Sequence, residues 1–219
     1  MLQDVKTTGD ALIDSLYKGR KGRVDFVDVP ELGFVMIDGA GAPGGDSFTA
    51  AVHALYAVSY GAHFALKKAT GDAPLVMALE GLWWMSGGDA GESSQFFSAG
   101  AAGFDEGPAE WRWRLMMMQL PPINARQIGE AVDLAKAKGD AGLLDQVRYE
   151  RWAEGPCAQT MHVGPYSAEG PTIAALHAAI ASHGARSRGK HHEIYFGDPR
   201  RAAPEKLRTL LRQPIAAAE

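Results

Sequence analysis

Glu193 stands in the middle of KHHEIYF (residues 190–196), a segment otherwise built like a strand, where a carboxylate is either exposed or placed for a purpose. Strand alternation sets Glu193 with His191 and Tyr195 on one face and His192, Ile194 and Phe196 on the other. The second set is the more apolar and is expected to face helices, which turns Glu193 and Tyr195 toward a cavity. In a partly dry cavity a carboxylate attracts a cation, or serves as acid or base near neutral pH once desolvation raises its pKa. A rim glutamate paired with an arginine is the alternative.

Other residues could join it. Glu80, in PLVMALEGLWW (residues 74–84), occupies a similar strand and would give a second carboxylate with a separate acid or base role, unless Gly81 bulges the strand and re-aims its neighbours. Trp83, Trp84, Trp111, Trp113 and Trp152 either fill a core or, as a group, sandwich planar ligands and hold cations. Adjacent tryptophans on a strand point oppositely, so Trp83 and Trp84 do not share one wall without a bulge. Met116, Met117 and Met118 offer adaptable walls or core packing, and His162 reads as a proton carrier or a structural histidine. His191 and His192 point to opposite faces and Cys157 is the only cysteine, so no metal site is expected.

Positioning these groups needs a scaffold, and the chain supplies one twice. After a short amphipathic arm (Val5, Ala11, Leu12 and Leu16 apolar), Val24 to Ile37 reads as one or two strands. A helix over 47–68 follows, with Asp46 or Ser47 as N-cap and Gly71 past its end. Strands over 74–84 and 110–120 flank a glycine- and serine-rich loop at about 86–107. A helix from Asn124 to Lys138 has a capping box with Gln127 and stops at Gly139. Then come strands near 147–152 and 156–163, a helix over 167–183, and strands over 191–196 and 207–211. The expected fold is α+β: tandem βαββ-type repeats forming a cupped antiparallel sheet, helices outside and a central ligand cavity. The expected boundaries are an arm over 1–22 and a domain over 23–215, with repeat one at 24–120, a connector helix at 124–138 and repeat two at 145–215.

Composition narrows the partners. A net charge of −4 gives no broad basic field, so neither nucleic acid nor an anionic membrane surface is expected. The N-terminus lacks an apolar signal region and no run of about 18 apolar residues occurs, which reads as a soluble cytoplasmic protein of undetermined oligomeric state. Residues 39–44, GAGAPG, match a dinucleotide-binding fingerprint between a strand and a helix. No acidic residue ends the next strand at the roughly twenty-residue offset that fingerprint requires, and no cofactor is expected.

The segments LEGLWW, EGPCAQTMHVGPYSAEG, HHEIYFGDPRR and KLRTLLRQP resemble those of the GyrI-like small-molecule-binding family, specifically its stand-alone members, over roughly residues 20–215. The resemblance implies a cavity with aromatic walls and a buried glutamate that takes hydrophobic, planar or cationic molecules. In related regulators the module follows a DNA-binding domain, for which the twenty or so residues before it leave no room here. Stand-alone relatives also imply an enzyme that opens strained cyclopropane rings by adding water, as detoxification. Glu193 matches the family's central carboxylate, and Tyr166, Trp83, Trp84 and Tyr195 match its aromatic positions. The expected site is therefore Glu193, Tyr166, Tyr195 and Glu80 for chemistry, with Trp83, Trp84, Trp113, Met117, Trp152 and His162 for binding. The alternative is a sequestering protein with the same pocket and no turnover.

Overall fold

A computed structural model describes residues 7–85, 111–138 and 142–218. The expected loop over 86–107, Val5 and Gly139 lie outside them. The elements are α1 (Ala11–Leu16), β1 (Asp25–Ala40), α2 (Asp46–Thr70), β2 (Leu79–Met85), β3 (Trp111–Met118), α3 (Ala125–Ala137), β4 (Arg148–Val163), α4 (Gly170–Ser182), β5 (Ala185–Ser187), β6 (His191–Tyr195) and β7 (Arg208–Ala217). All strand pairs are antiparallel. In the order β4-β1-β3-β2-β6-β7 the strands form a sheet that closes on itself through a further β4–β7 pairing, a barrel-like cup, and β5 extends the far end of β7. The described residues contain no helix long and apolar enough to cross a membrane.

Both faces of this sheet are covered, which explains its unbroken apolar runs. Val35, Ile37, Trp113, Leu115 and Met117 pack against α2, α3 and α4, whereas Phe34, Met36, Met116, Met118 and Ile194 pack against Ile13, Leu16 and Tyr17 from the arm. Glu154 on β4 and His192 on β6 meet although β7 lies between their strands, so the arm-covered face is the inside of the curve. The expectation for β6 is thereby corrected: His192 and Ile194 face this inner cluster, and it is Glu193 and Tyr195 that share a face with the helices.

Local chemistry accounts for several boundaries. The two strands expected near 147–152 and 156–163 are one, β4, in which Gly155 adopts φ +72°. Trp152 and Glu154 before it, and Cys157 and Met161 after it, all reach the inner face, so the side-chain parity shifts by one at that glycine. The first strand region is likewise single. Helix α2 starts at Gly45 rather than at a side-chain cap, and the Ser47 hydroxyl donates to the Ala40 carbonyl at 3.0 Å, tying the helix start to the end of β1. The Asn124–Gln127 capping box and Gly71 are as expected. In the arm, Leu12 is 52% exposed and the buried apolar residues are Ile13, Leu16 and Tyr17.

Candidate functional site

Two polar clusters sit back to back through β2 and β6, one on each face of the sheet. On the helix side, the Trp83 indole Nε1 donates to the Tyr195 hydroxyl at 3.0 Å, and that hydroxyl donates to Glu193 Oε2 at 2.8 Å. His191 Nε2 lies 3.4 Å from the other carboxylate oxygen. Glu193 is 5% exposed. Its surroundings are aromatic: Phe48 of α2 stacks on Trp83 at 5.7 Å and 19°, and Tyr166, on the short 3-10 turn before α4, meets Tyr195 edge-on at 5.8 Å. Burial, then the charge of Glu193, pushes the Tyr195 phenol well above its ordinary pKa, and the same causes raise Tyr166 to about 12. Both are therefore neutral hydrogen-bond donors near pH 7.

The contact between Trp83 and Tyr195 depends on Gly81. Pairing runs without interruption through Glu80↔Ile194, Gly81↔Glu193 and Leu82↔His192, so Gly81 makes no bulge here and directly faces Glu193. A methyl group there would lie 2.9 Å from Trp83 Nε1 and 3.1 Å from the Tyr195 hydroxyl. Gly81→Ala is therefore expected to push the two rings apart, and to weaken binding of an aromatic ligand on the order of tenfold by losing one hydrogen bond and the shape around it. Titration of tryptophan fluorescence checks this, and an unchanged dissociation constant would show that the contact does not shape the site.

On the inner face lies a buried network of charges. Glu80 accepts from Tyr17 at 2.6 Å and lies 3.0 Å from His192 Nε2. His192 Nδ1 contacts both oxygens of Glu154 at 3.0 Å, and Arg212 donates to Glu154, to Gln159 and to the Leu16 carbonyl. Burial disfavours the imidazolium, but Glu154 and then Glu80 outweigh it and raise His192 to about 9. Burial also opposes ionisation of Glu154, yet His192 and Arg212 hold its pKa below the ordinary value. Two carboxylates thus face two cations, the condition under which a charge cluster tolerates burial.

The expected site residues divide accordingly. Glu193, Tyr195, Tyr166 and Trp83 are brought together. Glu80 is not with them: it belongs to the inner network, because its neighbour Gly81 takes the position opposite Glu193. Trp84 also points away, with the Lys190 ammonium 3.4 Å from its ring centre. Trp152 contacts Phe34 and His192 on the inner face. Trp113 and Met117 are on the correct face but are core, Trp113 edge-on to Phe48 and Met117 accepting from Ser59. His162 is held by Thr172 and the Pro165 carbonyl, with its pKa lowered by burial. The residue that the sequence reading passed over is Glu169. It is buried beside Glu193, and burial followed by the charge of Glu193 raises it to about 9. An acidic residue just before a helix ordinarily reads as a response to the helix dipole, so its spacing carried no signal.

A separate open groove of about 680 Å³ runs between α4 and the start of β1, lined by Lys21, Arg23, Phe26, Thr172, Ala175 and Ala179. It presents cations and no carboxylate, the opposite electrostatic character from the surroundings of Glu193.

The family model of the GyrI-like small molecule binding domain matches residues 23–216. Among solved structures, an uncharacterized conserved protein from Listeria innocua is 32% identical with a TM-score of 0.79, over 93% of this chain and 96% of that one. A hydrolase from Listeria innocua is 30% identical with a TM-score of 0.76, over the same shares of 93% and 96%. The EcmrR C-terminal domain, at 9% identity and a TM-score of 0.52 over 90% of this chain and 98% of that one, shares the fold alone. No curated protein matches the chain.

Proposed function

This chain belongs to the GyrI-like small-molecule-binding family, and we propose that it takes flat, hydrophobic or cationic molecules at Glu193 and hydrolyses strained, cyclopropane-type electrophiles among them as detoxification, without a cofactor. The observation that carries this reading is the relay from Trp83 through Tyr195 to Glu193, set among the rings of Phe48 and Tyr166. It fixes a carboxylate in a largely dry, aromatic setting, where it serves both to attract a cation and to orient water. A relative that is 30% identical and described as a hydrolase supports the catalytic part.

The roles follow from who is already bonded to whom. Tyr195 spends its proton on Glu193 and its lone pair on Trp83, so it positions the carboxylate instead of contacting the substrate. Glu193 Oε1, which lies 3.4 Å from His191 Nε2 and takes no hydrogen bond from Tyr195, is the atom available to a water molecule. The water oxygen bonds to the strained carbon as its proton passes to Glu193. The breaking ring bond sends its electron pair to the conjugated carbonyl oxygen, where the Tyr166 hydroxyl donates a hydrogen bond to the developing charge. Incubating a cyclopropane-bearing electrophile with a small fraction of an equivalent of protein tests the reading: many turnovers are expected. Loss that stops at one equivalent would leave a sequestering protein instead.

A further inference from the structure

Glu169 is a second buried carboxyl close enough to act on Glu193, and the fold does not account for it. It ends the turn that carries Tyr166 and immediately precedes α4. Its backbone carbonyl accepts from Thr172 and Ile173, but its side chain does not cap the helix. The carboxyl is 1% exposed, and the Thr209 hydroxyl faces it from β7, yet neither of its oxygens completes a hydrogen bond. Among the described residues, the titratable groups that act on it are Glu193 and Tyr195 from β6 and Tyr166 from its own turn, with no cation among them. The N-terminus of α4 favours an anion there, but that contribution is modest beside burying an unpaired carboxylate next to another one. The carboxyl therefore keeps its proton near neutral pH, as its rise to about 9 also indicates.

We propose that Glu169 is the proton donor of the site, a neutral carboxyl that hydrogen-bonds the substrate's carbonyl oxygen and gives it its proton as the ring opens. This rests on the hydrolytic reading above. Glu193 gains the proton of the attacking water, the electron pair of the broken carbon–carbon bond becomes the new carbon–carbon double bond, and the former carbonyl π pair takes the proton of Glu169 as the new O–H bond. One water is added overall, and the proton on Glu193 returns to Glu169 through solvent to restore the site. A neutral Glu169 as acid beside Glu193 as proton acceptor divides the two roles between neighbouring carboxyls.

Glu169→Gln keeps the shape and the hydrogen-bond donor but has no proton to transfer. It is expected to lose about 10²-fold or more in kcat while its affinity for an unreactive carbonyl analogue stays within about threefold. The wild-type fall in kcat/KM near pH 9 should vanish from what activity remains, and Glu169→Asp should recover part of the turnover.

A readout independent of turnover comes from stability. The native pKa lies above the ordinary 4.5, so the unfolded state ionises first. The wild type is then penalised progressively as pH rises from about 4.5 to about 9, and the stability margin of Glu169→Gln over it should widen across that window and level off above it. A margin that does not change with pH would overturn the neutral carboxyl, and with it the proposal. Near wild-type turnover by Glu169→Gln would overturn the donor role even if hydrolysis stands. A widening margin in a wild type that turns nothing over would refute the hydrolytic reading and the donor role together, while leaving the protonated carboxyl in place.

Discussion

Glu193→Gln is expected to fold normally and to lose turnover of a neutral strained electrophile by roughly 10²-fold or more, the usual contribution of a positioned acid or base. Glutamine preserves the volume and still accepts the hydrogen bond from Tyr195, so the relay from Trp83 and the sheet pairing with Gly81 survive. What disappears is the basic oxygen that takes the proton of water. Affinity should divide by ligand charge. A lipophilic cation loses the interaction of its charge with a carboxylate that is only 5% exposed, an effect on the order of a few kcal/mol, whereas a neutral analogue of the same shape keeps its stacking on the aromatic walls. Quenching of tryptophan emission follows both, because Trp83 is bonded into the same relay. Equal losses for the two ligands would place Glu193 outside the binding site.

The second large effect lies on the other face. Arg212→Ala should destabilise the protein by about 3–5 kcal/mol, a fall of about 10 °C in Tm for a chain of this size. The guanidinium is buried and is bonded at once to Glu154, Gln159 and the Leu16 carbonyl, so truncation leaves Glu154 facing Glu80 with one cation between two anions. Because Leu16 ends α1, and Gln159 also donates to the Lys18 carbonyl, the arm should loosen and expose its Lys18 and Arg20 bonds to trypsin. Denaturant unfolding together with limited proteolysis measures both. A cost under about 1 kcal/mol would mean that the network is solvated.

The pH dependence of this network has a definite sign. His192 is raised from 6.5 to about 9 on folding, so its contribution is complete below about 6.5 and is lost as pH climbs through 9. Glu154 is lowered from 4.5, so its contribution is present above that value and is lost on acidification.

The element order and the face shared by Glu193 and Tyr195 were legible in the sequence, because alternation along HHEIY is local and the helix stripes and the Asn124 cap are strong signals. The face that carries the helices was not. Both sides of this sheet are buried, so the greater apolarity of His192, Ile194 and Phe196 pointed to a packed side without saying which one. Glu80 and Trp152 were misplaced for a related reason, since each depends on a non-local relation. The register of β2 against β6 sets Gly81, not Glu80, opposite Glu193, and the shift at Gly155 fixes where Trp152 ends up. The arm read as a peripheral amphipathic helix, although Tyr17 and the Leu16 carbonyl complete the inner network. Nothing in their local pattern announces partners 63 and 196 residues away.

The most direct test of the account is a crystal structure with a bound lipophilic, planar cation. It is expected to show the ligand between α2 and α4, its charge toward Glu193 and its rings against Trp83, Phe48 and Tyr166. A ligand seated instead in the groove of Lys21, Phe26 and Ala175, with the surroundings of Glu193 unchanged, would contradict it.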